Sequence, residues 1–279
     1  MVNPGSSSIG MSWARLRRQE DSSVSVNELP IDHSEAFPNL AKAPIVEAVL
    51  HWQAMASRDY RQADLLKLME HAFPEYASTN QHNLEAGFAG TPEGIEFKQR
   101  SAWQGVRLTR KYDDGSDKFV CQFLRQGVVF SQLAPYTKWE DFEPEAKKFW
   151  EKHCELGDPS EVARLSVRFI SQIGIASIDE IENYIETVCE PVYQLGLSAN
   201  RYFHQDTIEL SNQPYVINIV RAVQPTPEQK SNLIVDITAS TSESFGLGQV
   251  DDKLTDLRFI KNKVFFTLMK DAAQSFGAS

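Results

Sequence analysis

The sequence predicts an α+β protein in which two similar halves form one domain. Residues 41–157 and residues 158–279 follow the same order: an apolar strand, a helix, a run of strands and a closing amphipathic helix. Each opening strand alternates apolar with polar residues, and each closing helix is rich in aromatic residues. Such a strand–helix–strands–helix unit favours antiparallel sheets with helices packed on one face.

The first half begins with a half-buried strand. In residues 45–52 every even-numbered residue is apolar, whereas Glu47 and His51 fall at odd positions. This two-residue period is typical of a strand with one packed face. An amphipathic helix is predicted over residues 63–73, and Pro74 ends it.

Three further segments of the first half have the pattern of strands. They cover residues 95–101, 106–112 and 118–133. An Asp-Gly pair between the second and the third is a good hairpin signal, and Gly127 divides the third into two strands or introduces a bulge. The Thr-x-x-Glu pattern at residues 137–140 predicts a capping box for the closing helix.

The second half contains the same kinds of element in the same order. They are a strand over residues 164–175, a helix over 178–195, strands over 202–210, 215–223 and 232–239, and a last helix over 251–276. The two opening strands are expected to lie near a pseudo-twofold axis. Both a TATA-binding-protein-like fold and a helix-grip fold accommodate such a duplication.

Composition indicates an ordinary globular chain. Hydrophobic residues make up 42% and charged residues 24%, and the formal net charge of −10 argues against a surface that attracts nucleic acid or anionic lipid throughout. Three scattered cysteines without a CxxC motif argue against a disulfide framework or a zinc site. We therefore expect a cytoplasmic protein with no membrane partner, no metal and no cofactor. Residues 1–40 lack an apolar period and are predicted to form a disordered tail.

Five segments carry a resemblance to a known family. They are Pro44-Ile45-Val46-Glu47-Ala48; Leu133-Ala134-Pro135-Tyr136 with Trp139; Arg164-Leu165 continuing to Arg168-Phe169-Ile170 and Ile173; Leu233-Ile234-Val235-Asp236-Ile237; and Leu254, Leu257, Lys261 and Val264-Phe265-Phe266. In this order the chain resembles a sporadically distributed family of bacterial proteins of about this size with no assigned activity. The resemblance implies no catalytic residue. Its scattered distribution implies horizontally exchanged genes, such as defence or toxin–antitoxin cargo.

Side-chain parity predicts a polar cluster where the two halves meet. If helices cover one face of the sheet, then Glu47, His51, Arg168, Gln172 and Asp236 project from the other face. We expect a cross-half ion pair between Glu47 and Arg168. The cluster is either a pocket for a small ligand or a peptide, or a structural pair that fixes the register of the two halves.

A basic strip runs along the predicted strands of the first half. It consists of Lys98, Arg100, Trp103, Arg107 and Lys111. Cations interleaved with an aromatic ring provide the phosphate contacts and the base stacking that a nucleic-acid surface needs. A solvated sheet face with alternating charges is the other interpretation, and the acidity of the whole chain favours it.

The last helix carries apolar side chains on more than one face. They include Leu257, Phe259, Phe265, Phe266 and Met269. A helix that is apolar nearly all round is buried within its own fold or against a partner. Homodimerisation and docking of another protein are therefore open alternatives to packing within the chain.

The sequence favours a non-catalytic interaction or ligand-sensing protein of the bacterial cytoplasm, in a defence or toxin–antitoxin-like context. Its partner would be a protein, either a second copy or another chain, or a small ligand. A nucleic-acid-binding module that uses the face from Lys98 to Lys111 is the alternative. An unrecognised enzyme, with Glu47, His51 and Asp236 as acid–base candidates, comes third.

Overall fold

The fold is built on one nine-stranded antiparallel sheet. The computed structural model describes residues 28–91, 94–185, 201–226, 231–271 and 275–277, without the side chains of residues 83–102. The strands are β1 (Ile45–Gln53), β2 (Ala77–Thr91), β3 (Gly94–Lys111), β4 (Asp117–Leu124), β5 (Gly127–Leu133), β6 (Arg164–Ile175), β7 (Phe203–Glu209), β8 (Tyr215–Pro225) and β9 (Ser231–Thr241). Their order across the sheet is β2-β3-β4-β5-β1-β6-β9-β8-β7.

Within the described part of the chain, three long α-helices cover one face of this sheet. They are α1 (Gln62–Ala72), α2 (Trp139–Gly157) and α3 (Val250–Leu268). Helix α1 packs on β2 and β3, α2 on β4 and β5, and α3 on β6 and β9. Because all neighbouring strands are antiparallel and the helices lie outside the sheet, the prediction of a mixed α+β domain with antiparallel strands is confirmed.

The hydrophobic core lies between the sheet and the helices. On the central strand β1, Ala48, Leu50 and Trp52 are fully buried, whereas Gln53 is exposed. The ring of Trp52 stacks on Trp150 of α2, with centroids 5.8 Å apart and planes 9° from parallel. Burying each large apolar side chain contributes about 1.5–3 kcal/mol. The alternation predicted for this strand therefore reflects a sheet with one face covered by helices.

Gly127 is the first residue of β5, and the long segment predicted to divide at this glycine forms the two strands β4 and β5. Its φ is 140°, and a Cβ atom built on it would lie 1.9 Å from the carbonyl oxygen of Trp52. Glycine tolerates this conformation, and it has no Cβ atom to collide with the neighbouring strand. The backbone of β1 can therefore pass close to the turn between β4 and β5.

The predicted capping box does not form at the start of α2. The N-cap residue is Lys138, and it makes no side-chain cap hydrogen bond. The hydroxyl of Thr137 donates instead to Asp141 at 3.3 Å. The prediction was wrong because the helix begins one residue later than the pattern requires.

Three other boundaries differ from the sequence-based expectation. Strand β2 was not predicted, because its residues are mostly small or polar and show no apolar alternation. An α-helix was predicted over residues 178–195, but the described residues of this segment have only the short 3-10 helix Ile178–Asn183, and Ile185 forms a β-bridge with Met269. Residues 186–200 lie outside the described part of the chain. Helix α3 ends at Leu268 and not near residue 276.

Residues 28–43 form a strap that runs along α3. Phe37 stacks on Phe266 with ring centroids 5.6 Å apart, and Glu35 accepts hydrogen bonds from Lys263 at 2.7 and 2.9 Å. His33 lies 3.1 Å from Asp256. The prediction of a disordered tail is therefore wrong for residues 28–40, because their scattered apolar side chains pack against α3. Residues 1–27 lie outside the described part of the chain.

Candidate functional site

The polar cluster predicted at the junction lies on the helix-free face of the central strands. The side chain of Arg168 on β6 donates to both carboxylate oxygens of Asp236 on β9, at distances of 2.6 to 3.1 Å. Glu47 and Asp236 both lie opposite Ile170, one on each side of β6, so both are diagonal neighbours of Arg168. Among the described residues, the Arg168 side chain pairs with Asp236 and not with the predicted partner Glu47.

Charge couples these three residues although only two of them are in contact. The hydrogen bonds from Arg168 to Asp236 raise the pKa of Arg168, and the nearby carboxylate of Glu47 adds to this effect. The arginine side chain remains 46% exposed, and an ion pair at such a position contributes about 0–1 kcal/mol. The pair can hold the register of β6 and β9, and it contributes little stability.

His51 and Gln172 lie at opposite ends of the cluster. His51 faces Ser166 across the β1–β6 ladder, whereas Gln172 faces Ile234 across the β6–β9 ladder. Burial lowers the pKa of His51, and the charge of Arg164 lowers it further. The five predicted residues share one face, but the structure spreads them along the strands and does not gather them into one pocket.

The basic strip is interrupted in the structure. Lys98 and Arg100 lie in β3, with side chains outside the described set. A register shift in the pairing of β2 with β3 changes side-chain parity at Trp103, which packs against the core and donates to Asn80 at 3.0 Å. Arg107 remains exposed. The predicted stacking ring therefore does not share a face with the exposed cation.

Lys111 and its neighbour Arg110 lie at the end of β3. Lys111 pairs with Asp117 in the β3–β4 ladder. Arg110 turns to the helix-covered face, where it lies 3.6 Å from Glu145 of α2. Arg110 thus has an acidic partner, a pattern typical of a solvated or structural charge pair, and Lys111 has an acidic residue opposite it in the ladder.

The apolar residues of the last helix are covered by the chain itself. Leu257, Phe259, Phe265 and Met269 are buried, Phe266 stacks on the strap, and Met269 lies just beyond the end of α3. The sheet covers one side of the helix and the strap covers another. Packing within the chain therefore explains why this helix is apolar on more than one face, the feature that also suggested a partner protein.

A cavity of about 300 Å³ lies between the strap, the loop before α2, strand β6 and helix α3. Its walls include the aromatic side chains of Tyr136, Trp139 and Phe169 and the cationic side chains of Arg258 and Lys261. The strap closes one side with residues 37–40 and 43. Concave sites with mostly apolar walls and a few polar groups are the usual form of small-molecule sites, with volumes of about 300–1,000 Å³.

Lys261 is the unusual residue of this cavity. Only 7% of the residue is exposed, and its Nζ atom lies 3.7 Å from the centroid of the Phe169 ring. Among the residues that the structure describes, no carboxylate lies within ion-pair distance of this nitrogen. Burial lowers the pKa of Lys261 to about 7, and the charge of Arg258 acts in the same direction. The amine is therefore present in both protonation states near neutral pH.

The second cation of the cavity already has a partner. Arg258 donates to Glu140 at 2.8 Å and lies over the Trp139 ring, 5.1 Å from its centroid. The backbone N–H at the start of α2 and the charge of Arg258 hold the pKa of Glu140 below its usual range. Burial raises the pKa of Tyr136, so its hydroxyl is neutral. Lys261 is thus the cation in the wall that does not have its own carboxylate.

Sequence reasoning did not select Lys261, although two signals pointed to it. It lies four residues after Leu257 and four before Phe265, in the middle of a buried helical stripe. Four of the five segments on which the family resemblance rests also contribute to the cavity wall. Side-chain parity predicted a site on the helix-free face of the sheet, whereas this cavity lies on the helix-covered face.

The described residues contain neither a metal-binding cluster nor a membrane-spanning helix. Within the described residues, no group of three or more His, Cys, Asp or Glu side chains is arranged to hold a metal ion. None of the described helices is both long and apolar enough to cross a membrane. No family model matches the chain, and no match was found among curated proteins or among solved structures.

Proposed function

We propose that the protein is a non-catalytic ligand-sensing protein that binds a small organic anion in the cavity beside Lys261. The observation that carries the proposal is a buried ammonium in a cavity wall without a carboxylate of its own. A buried charge is costly unless it is paired. A bound anion supplies the missing charge and gains a strong, charge-assisted contact in a site of low dielectric.

The electrostatics of the cavity support an anionic ligand. Its wall holds the cations Lys138, Arg258 and Lys261. Asp141 lies 3.5 Å from Lys138 and Glu140 accepts from Arg258, which leaves Lys261 as the excess positive charge among the described residues. This local positive excess contrasts with the formal net charge of −10 for the whole chain. The aromatic rings of Trp139 and Phe169 favour a flat apolar body behind the anionic group. We therefore expect aromatic monocarboxylates to bind better than aliphatic ones.

Titration calorimetry with acetate, benzoate and indole-3-carboxylate tests the proposal. Lys261→Met removes the ammonium and retains an unbranched side chain, and Lys67→Met, which removes an exposed lysine of α1 outside the cavity lining, is the control. The aromatic carboxylates should bind the wild type and the Lys67 variant at about pH 6, and the Lys261 variant should lose at least about tenfold in affinity. Equal affinity for all three proteins would rule out this site.

The duplication and the setting of the protein remain part of the proposal. The central pair β1 and β6 supports a duplicated origin, because each is flanked on its outer side by the last strand of its own half. On this basis we propose a saddle of the TATA-binding-protein-like or helix-grip type. The cytoplasmic location, the defence-related context and a protein partner for signal output rest on the sequence and the family resemblance.

A further inference from the structure

We propose that Lys261 captures a small carbonyl compound in this cavity as a reversible imine. This inference rests on the proposed function, since it identifies the chemical class of ligand for the same cavity. Three features of the geometry support it: the nitrogen lies in the cavity wall, the cationic Arg258 lies in the same wall, and among the described residues the nitrogen has no carboxylate partner. A lysine desolvated in an apolar pocket or placed beside another cation is the usual form of an imine-forming lysine.

Imine formation releases one water molecule and needs no further reactant. The neutral amine of Lys261 attacks the carbonyl carbon of an aldehyde or ketone, so the carbon–nitrogen bond forms as the carbonyl π bond breaks, and the oxygen takes up the two protons that the nitrogen loses. Loss of that oxygen as water gives the carbon–nitrogen double bond. Hydrolysis reverses the step, so no oxidant or reductant is needed and the ligand is released unchanged.

The surroundings of the amine favour its neutral form. Arg258 reaches it from the same helix, and Lys138, Glu140 and the neutral Tyr136 line the cavity from the start of α2 and the loop before it. The strap and β6 contribute no ionisable side chain to the lining. The pKa of about 7 that burial and Arg258 give Lys261 leaves about half of the amine unprotonated at neutral pH. An ordinary exposed lysine has less than about one part in a thousand in this form.

The shape of the cavity selects among carbonyl compounds. The wall around the amine is aromatic, from Phe169, Tyr136 and Trp139, and the further cation Arg258 lies in the same wall. A flat aromatic aldehyde that carries a carboxylate would place its ring against these side chains. Its carbonyl carbon can then approach Lys261 while its carboxylate interacts with the positive part of the wall. We use 4-formylbenzoate as the probe for this class.

Reductive trapping on the full-length protein tests the inference. The chain is incubated with 4-formylbenzoate and cyanoborohydride, which adds hydride to an imine carbon and converts it to a stable secondary amine, and modified lysines are identified by peptide mass spectrometry. We expect Lys261 to be modified at least about tenfold faster than Lys263, an ion-paired lysine on the same helix. The rate at Lys261 should rise with pH and level off above about pH 7, while benzoate should suppress it. Equal rates at the two lysines would overturn the inference.

Anion binding and imine formation can be refuted independently, because they need opposite protonation states of the Lys261 amine. Binding of benzoate requires the protonated amine, so its affinity should fall as pH rises through about 7, whereas trapping requires the neutral amine and should rise over the same range before it levels off. Benzoate binding that depends on Lys261 without selective trapping would refute imine formation and retain the anion site. Selective trapping without benzoate binding would refute the anion site. A Lys261→Arg variant, which keeps a cation but has no primary amine, should bind benzoate and give no trapped product at this position.

Discussion

Replacing Lys261 by methionine should change how the stability of the protein depends on pH. The pKa of this amine is lowered from 10.5 to about 7 in the folded chain, mainly by burial. Between these two values the unfolded chain binds a proton that the folded chain does not, so the free energy of unfolding rises with pH. From about pH 6 to about pH 9 this linkage adds about 2–3 kcal/mol to the wild type. Methionine has no proton to release, so the variant lacks this increment.

Urea unfolding at about pH 6, 7.5 and 9 measures the effect. We expect Lys261→Met to be more stable than the wild type at about pH 6, because the buried charge is removed, and the difference should shrink by about 2–3 kcal/mol by about pH 9. Groups that titrate in both proteins cancel in the difference. Lys263→Met, which removes an exposed ion-paired lysine, should show no such trend. A difference that is independent of pH would refute the buried, desolvated state of Lys261.

Three further substitutions, together with the control Gly115→Ala, test packing and the ion pair. Gly127→Ala should lower the free energy of unfolding by at least about 2 kcal/mol, because the added Cβ atom meets the carbonyl oxygen of Trp52. Gly115→Ala is the control and should cost about 1 kcal/mol, because this glycine has a positive φ but lies in open space. Phe37→Ala should lower stability by about 1–3 kcal/mol and weaken benzoate binding, because the strap loses its stacked ring. Asp236→Asn should cost about 1 kcal/mol or less, because its arginine partner is half exposed. Urea unfolding checks all three, and an unchanged Phe37 variant would argue against strap packing.

Much of the fold could be predicted because apolar periodicity is a local property. The alternation in β1 and β6, the hairpin between β3 and β4 and the glycine between β4 and β5 can all be identified within short windows of sequence. Parity also placed Arg168 and Asp236 on one face of the sheet, where they form their ion pair. Parity could not predict that Arg168 pairs with Asp236 and not with Glu47, because both carboxylates lie opposite Ile170 and are diagonal neighbours of Arg168, so only the placement of the side chains decides between them.

Two other features depended on pairing that no short window of sequence contains. The register shift in the pairing of β2 with β3 places the side chain of Trp103 on the opposite face of the sheet from the exposed basic residues. The basic strip therefore lacks the stacking ring that the sequence predicted. Strand β2 itself has a polar sequence, and it is a strand because β3 offers it a long ladder of hydrogen bonds. In both cases the partner strand, and not the intrinsic preference of the segment, determines the conformation.

The sequence by itself determined the α+β class, the helix-free polar face and the amphipathic closing helices, since each follows from the spacing of apolar residues. Only the tertiary structure decided the environment of Lys261. On an exposed helix a lysine extends its ammonium into water. Here β6 lies beneath the side chain, Arg258 lies beside it, and the strap and the start of α2 enclose the same cavity. Segments far apart in the chain therefore convert an ordinary lysine into a buried amine at the wall of a ligand-sized cavity.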